Sequence, residues 1–241
     1  RLTDITAAIN MDDHLVLKVH GGLEQLDHLQ QVVREAEQAV AQTAPAFARD
    51  VDFGYLSYRP TMSGSGMFIS IILHLPMLHY LKQIRSLNEL LKTQEYLLRP
   101  LAAQDRRNPA KMYVLSNATS LNREDDMLVQ KTREVVGLLS QRETLLREKA
   151  LTRNGQSAFA DQVWRSYGIL RYARRLREGD FLNHWSNLRL GSLAGILPLS
   201  IETADSLLVY AGDQAFLKEG ADTQNIVGLR AQSVRQALSG G

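Results

Sequence analysis

The stretch Tyr58–Pro76, "YRPTMSGSGMFISIILHLP", decides how the rest of the chain is read. Its small residues and two glycines, Gly64 and Gly66, look like a turn that offers backbone N–H groups to a phosphate. A phosphate loop of the usual kind, however, carries a lysine and runs into a helix. This one runs into an apolar, β-branched segment and places Met67 and Phe68 where a cation would be needed. "GMFISIILHLP" therefore reads as a strand, "DFGYLSYRP" as the strand before it, and "TMSGS" as their connection. Small residues in a tight loop serve geometry more often than ligands, so the loop alone names no function.

Working outward, "DITAAIN" and "DHLVLKVH" alternate in character, with Ile5, Ala7 and Ile9 on one face and His14, Val16 and Lys18 on another. "MDD" between them is a hairpin turn. Leu23, Leu26, Leu29, Val33, Ala36 and Val40 fall at helical spacing and give one buried stripe. Beyond the quoted stretch, Leu78–Tyr96 reads as an amphipathic helix and "KMYVLSN" as a short strand. The back half is helical. A long helix starts at Asn122 as N-cap with acids in its first turn, is striped by Leu128, Val135, Leu139 and Leu146, and ends at Gly155. Helices over Phe159–Leu176, Phe181–Ile196, Thr203–Tyr210 and Asn225–Leu238 follow. Strands in front, helices behind and no regular βαβ alternation predict an α+β fold: an antiparallel β-sheet flanked by helices, with a helical C-terminal tail.

Composition narrows the function classes. The chain has 241 residues, 44% of them hydrophobic, enough for a substantial core. Basic residues number 28 and acidic ones 26, a net charge of +2 that gives no reason to expect a nucleic-acid partner. Cysteine is absent, which excludes disulfides, thiolate metal sites and a cysteine nucleophile. No apolar run approaches the roughly 20 residues of a membrane-spanning helix, so no membrane partner is expected. The start, "RLTDITAAIN", reads as a strand already under way, and a portion upstream of it is expected.

Individual residues leave the chemistry open. Asp12 and Asp13 at the hairpin tip suit a general base or a metal ligand, and equally suit an ordinary turn. His14, His20, His28, His74, His79 and His184 show no metal-ligand spacing, and no metal site is expected. "RYARRLRE" distributes Arg171, Arg174, Arg175 and Arg177 around a helix, as a phosphate or acidic-partner face or as a solvated surface.

Taken in order, the segments resemble the catalytic domain of the phosphagen kinases, the ATP:guanidino phosphotransferases, and within them the bacterial protein-arginine kinases. "AINMDDHLVL" is similar to the family's Asn-Glu-Glu-Asp-His strand and turn, and "GYLSYRPTMSGSGMFISIILHLP" to its Gly-Thr-Gly-Leu-Arg segment and the strand ending His-Leu-Pro. "KMYVLSN" resembles the strand closing on Ser-Asn. "DQVWRSYGILRYARRL" and "LRLGSLAGIL" resemble the helical tail of the protein-arginine kinases. The resemblance implies a guanidino kinase or glutamine synthetase-like sheet domain over residues 1–155 and a helical C-terminal part of the same domain over 156–241. The family's smaller N-terminal helical domain has no counterpart here.

Residue by residue, the resemblance implies a depleted site. Asp12 stands where the catalytic glutamate belongs, as candidate general base, while Met11 replaces the first glutamate of the pair. His14, Gly64, Ser65, Gly66, Arg99, Arg106 and Arg107 are the candidate nucleotide-binding residues. Val16 and Phe68 replace two phosphate-binding arginines, Arg59 replaces the substrate-side cysteine, and Pro100 follows Arg99 where the family has glycine. Near the C-terminus, Ile226 and Val227 fall where protein-arginine kinases carry an arginine–aspartate pair for phosphoarginine. Phosphoryl transfer rests on positive charge around the triphosphate and in-line placement of the nucleophile. The resemblance thus implies a pseudokinase serving as a binding or regulatory module. The alternatives are an active protein-arginine kinase using ATP and Mg²⁺ through a rearranged site, or a dimerisation module. By the same resemblance the protein is cytoplasmic and a homodimer, with a zinc-binding activator protein and a Clp-type protease system as partners. ATP and Mg²⁺ are its cofactors if it is active, and it has none otherwise.

Overall fold

A computed structural model describes residues 4–11, 13–43, 46–102, 108–152, 158–213, 216 and 223–239. It is the mixed helix-and-sheet fold expected, with small sheets in the front half and helices behind. The chain divides into two compact units: Arg1–Ile71, Leu87–Leu98 and Val114–Leu139 form the first, and Ile72–Ser86, Arg99–Tyr113 and Ser140–Gly241 the second.

In the first unit, β1 (Ile5–Ile9) and β2 (Leu15–Val19) pair antiparallel, Ile5 opposite Val19 and Ile9 opposite Leu15. This is the hairpin predicted around "MDD". Asn10 closes its turn at φ 53°, donating its N–H to the His14 carbonyl at 3.1 Å. Asparagine is one of the few side chains that adopt the left-handed region readily. A single 3₁₀ turn, Leu23–Gln25, leads into α1 (Leu26–Thr43). The short strands β3 (Arg49–Asp50) and β4 (Gly54–Tyr55) pair antiparallel around a turn held by Asp50. Its Oδ1 accepts the N–H groups of Asp52 at 2.8 Å and Phe53 at 3.1 Å. Leu26, Ile69, Leu128 and Val129 form a buried cluster, with Met67 and Ile71 packed against it. Just ahead of the next strand, Met67 and Ile69 thus turn inward and Phe68 stays on the exposed side.

β5 (Ser70–His74), β6 (Tyr96–Pro100) and β7 (Met112–Asn117) form a three-stranded sheet in the order β5–β7–β6. The middle strand is the "KMYVLSN" segment, and four of its six residues are buried. Helices α2 (Pro76–Tyr80), α3 (Ile84–Thr93) and α4 (Asp125–Thr152) complete the front part of the chain.

The second unit carries α5 (Ala158–Tyr172), α6 (Glu178–Leu193), α7 (Ile201–Ala211) and α8 (Thr223–Ser239). Trp185, Phe181, Leu170, Leu188, Val163, Leu207 and Val234 form its core. Trp185 satisfies its indole N–H on the Ala204 carbonyl at 2.8 Å. A Cβ on Gly191 would lie 2.2 Å from Val163 Cγ1, so the glycine of "LRLGSLAGIL" lets α5 and α6 approach.

Three sequence expectations are corrected. Leu78–Tyr96 is not one helix: α2 ends at Tyr80, α3 ends at Thr93, and Tyr96 opens β6. At the first break Lys82 has φ 58°, with its N–H on the His79 carbonyl and the Gln83 N–H on the Leu78 carbonyl. These are the two bonds of a Schellman stop, with lysine where glycine is usual. Asn122 is a left-handed turn residue at φ 53°, not the N-cap of the long helix. The Glu124 carbonyl takes the first helical bond, from the Leu128 N–H at 3.0 Å. "DFGYLSYRP" forms only the two-residue β4: beyond it the Ser57 N–H goes to a side chain, Ser63 Oγ, and Pro60 starts a 3₁₀ turn. Gly155 lies outside the described residues.

Candidate functional site

The turn between β1 and β2 and the loop around Gly64 lie in the first unit and are joined through a residue that the sequence did not single out. Ser57 donates its hydroxyl to Asp13 Oδ2, and its N–H donates to Ser63 Oγ at 3.1 Å. Asp13 Oδ1 accepts the His14 N–H at 2.8 Å. The Ser57 hydroxyl and then the His14 amide hold the Asp13 carboxyl below the usual carboxylate range. His14 is exposed, its Nδ1 3.4 Å from Asn10 Oδ1. Nothing in "GYLSYRP" marks Ser57, since serine is unremarkable before a proline turn.

The loop's amides are largely spoken for. Gly64 N–H donates to the Tyr55 carbonyl at 3.0 Å, and the Gly64 carbonyl accepts the Tyr55 N–H in return at 2.8 Å. Ser65 N–H donates to the Ser120 carbonyl at 3.2 Å, and Met67 N–H to Ser65 Oγ at 3.3 Å. Ile69 N–H donates to Asn117 Oδ1 at 2.9 Å, while Asn117 Nδ2 reaches the Met67 and Thr119 carbonyls. A phosphate cradle depends on converging amides left unpaired by the protein. Here four of them tie the loop into its own unit.

Gly64 is required by this stitching. It sits at φ +109°, and a Cβ would lie 2.4 Å from the Ser120 carbonyl oxygen. Gly64→Ala is expected to cost about 2 kcal/mol through strain and backbone displacement. A thermal melt should fall by roughly 4–8 °C at this chain length. An unchanged midpoint would show that the loop does not bear on the fold.

Val16 and Phe68, expected to stand in place of arginines, occupy tolerant positions. Phe68 is 37% exposed, and Val16 sits opposite Ala8 in the hairpin, partly buried. Arg59 is exposed and stacks on Tyr58, its guanidinium carbon 5.0 Å from the ring centroid. Gly66, at φ +73°, is exposed and Ser65 partly so. Arg99 is exposed on β6 and belongs to the second unit. Asp12, Arg106 and Arg107 lie outside the described residues. Thus Asp13, His14, Gly64, Ser65 and Gly66 share one unit. Among the described residues no three His, Asp or Glu side chains form a metal-holding group, and no helix is long and apolar enough to cross a membrane.

In the second unit, Ile226 is buried at 5% exposure, and the Val227 carbonyl accepts the Leu176 N–H at 3.0 Å. These positions serve packing. One turn further on, Arg230 is buried and donates to the Ala211 carbonyl at 2.7 Å and the Leu176 carbonyl at 2.8 Å, with Asp213 as its ion-pair partner. The unit also holds a half-buried amine: Lys111 donates to the Pro109 carbonyl at 2.7 Å and to Asn183 Oδ1. Burial pushes its ammonium down to about 8.

Comparison with known proteins agrees with these elements. Residues 3–146 match the family model of the ATP:guanido phosphotransferase C-terminal catalytic domain. The chain belongs to that family. Residues 156–240 match the protein-arginine kinase McsB C-terminal domain. The chain is 26% identical over 232 residues to a protein-arginine kinase of Staphylococcus haemolyticus (strain JCSC1435), covering 96% of this chain and 69% of that protein. It is 28% identical over 242 residues to a protein-arginine kinase of Clostridium botulinum (strain Eklund 17B / Type B), covering 98% and 70%. Among solved structures it is similar in fold to the duplicated taurocyamine kinase from Schistosoma mansoni with bound transition state analog components. That likeness has a TM-score of 0.52 and 19% identity, and covers 66% of this chain and only 23% of that one.

Proposed function

We propose that this domain is a protein-arginine kinase-like module with weak or no phosphoryl transfer, serving to bind or regulate rather than to catalyse. The observation that carries this reading is the outward-facing, uncharged Phe68 beside a loop whose amides are taken up by Tyr55, Ser120, Ser65 and Asn117. A triphosphate carries about four negative charges and is held by charge-assisted contacts worth roughly 1.5–3 kcal/mol each. Val16 and Phe68 supply none. Should the domain be active, ATP with Mg²⁺ is its cofactor, Asp12 its base, and His14, Gly64, Ser65, Gly66, Arg99, Arg106 and Arg107 its nucleotide contacts. The family resemblance supports a homodimer and a protein quality-control setting in the cytoplasm, with a zinc-binding activator and a Clp-type protease as partners.

Calorimetric titration with ATP and Mg²⁺ tests the reading. The parent chain should bind weakly or not at all, and Val16→Arg and Phe68→Arg should each tighten binding about tenfold, the low end of a charge-assisted contact. Both substitutions place a long side chain where it can reach solvent, so folding should be unaffected. Tight binding by the parent chain, with phosphoarginine forming on a protein substrate, would establish the active enzyme instead.

A further inference from the structure

The second unit carries a cationic groove that none of the foregoing uses. It measures about 610 Å³ and is lined by Arg171, Gln232, Arg235, Gln236 and Ser239, from α5 and α8. Both arginines are fixed in place. Arg171 Nη1 donates to the Tyr167 hydroxyl and to the Leu238 carbonyl at 3.2 Å, and its guanidinium lies over the Tyr167 ring. Arg235 Nη1 donates to the Ala173 carbonyl. These bonds run from one nitrogen of each guanidinium, which has five N–H donors in all. The carbonyls belong to the ends of α5 and α8, where cations offset the helix dipole. That accounts for the arginines' position but not for a counter-charge: no carboxylate is among the lining residues.

The rest of the lining suits a peptide. Gln232 and Gln236 are exposed one turn apart on α8, and each amide can both donate and accept, as a main-chain amide requires. The groove offers no aromatic lining on which a base could stack, the feature on which single-stranded nucleic acids rely. The chain leaving its edge at Ala173 continues through Arg174, Arg175 and Arg177, all exposed. The lining face of α8 is separate from the side that carries Ile226, Arg230, Ala231 and Val234 into the core.

We propose that this groove docks an acidic peptide segment, carboxylates on Arg171 and Arg235 and main-chain amides on Gln232 and Gln236. Fluorescence anisotropy on the whole chain with labelled hexaglutamate tests it, beside hexalysine and an oligothymidylate of equal charge. Hexaglutamate should bind, more weakly as salt rises, and hexalysine should not. Gln232→Glu/Gln236→Glu adds two negative charges at exposed positions and should weaken binding at least tenfold with the thermal midpoint unchanged. Arg235→Gln should weaken it in the same direction. Absent hexaglutamate binding, binding unaffected by the double substitution, or tighter binding of the oligothymidylate would each overturn the proposal.

Discussion

Replacing Arg230 by methionine is expected to destabilise the second unit by about 3–5 kcal/mol, the cost of leaving the carbonyls of two buried residues, Ala211 and Leu176, without their donor and a part-exposed Asp213 without its counter-charge. At this chain length that is a fall in thermal midpoint of roughly 6–20 °C. The side chain is 1% exposed and ties three segments to α8: the end of α7 through the Ala211 carbonyl, the α5–α6 connection through the Leu176 carbonyl, and Asp213 beyond α7. Methionine keeps much of the volume, so the loss reports the polar clasp rather than a cavity. The Ala211 and Leu176 carbonyls would be left without their donor where water reaches poorly, while Asp213, 39% exposed, would keep access to solvent. Lysine should restore only part of the stability, since it has one donor nitrogen where the guanidinium reaches three groups at once. Differential scanning calorimetry on the parent, Arg230→Met and Arg230→Lys chains measures this. Equal midpoints for all three would mean that the clasp contributes nothing.

Arg230 also shows where sequence reading stops. The periodicity of "LRAQSVRQAL" placed the helix, because apolar spacing is a local property. It could not say that one arginine of that helix is buried and another, Arg235, lines a surface groove, since this depends on carbonyls 19 and 54 residues away. The hairpin at "MDD" was legible because alternation and turn chemistry agree there. The break after Tyr80 was not, because Lys82 and Glu95 take left-handed conformations that sequence reading assigns to glycine or asparagine. At the candidate site, the expectation that Val16 and Phe68 stand in place of arginines rests on the resemblance of the motifs around them. Ser57 and Asn117, which hold the turn and the loop, were not. Their roles come from hydrogen bonds spanning 44 and 48 residues, and serine and asparagine carry no signal of such a task.

Acid should weaken the second unit through His74. Its Nδ1 lies 3.2 Å from Arg189 Nη1, and because a guanidinium only donates, Nδ1 must accept; the proton therefore sits on Nε2 and is given to Ser186 Oγ at 2.8 Å. Arg189 is in turn committed to Asp205, with Nε on Oδ1 at 2.6 Å and Nη2 on Oδ2 at 3.3 Å. A second proton on His74 would sit on Nδ1 and face the guanidinium directly. Burial, then the charges of Arg189 and Lys111, push the imidazole down to about 3 from its ordinary 6.5. The folded-state value is depressed, so below 6.5 the unfolded chain takes up a proton that the folded chain refuses. Stability is then fully present above 6.5 and is lost as the pH falls toward 3, by about 2 kcal/mol at pH 5 and about 3 at pH 4 relative to pH 7. His79 and His184, also lowered by burial, act in the same direction. The contribution of His74 is isolated by His74→Gln, whose amide can accept from Arg189 and donate to Ser186 without titrating. Urea unfolding at pH 7 and pH 5 should show the parent losing about 2 kcal/mol more than the variant. Parallel losses in the two chains would mean that His74 gains its proton in the folded state as readily as in water.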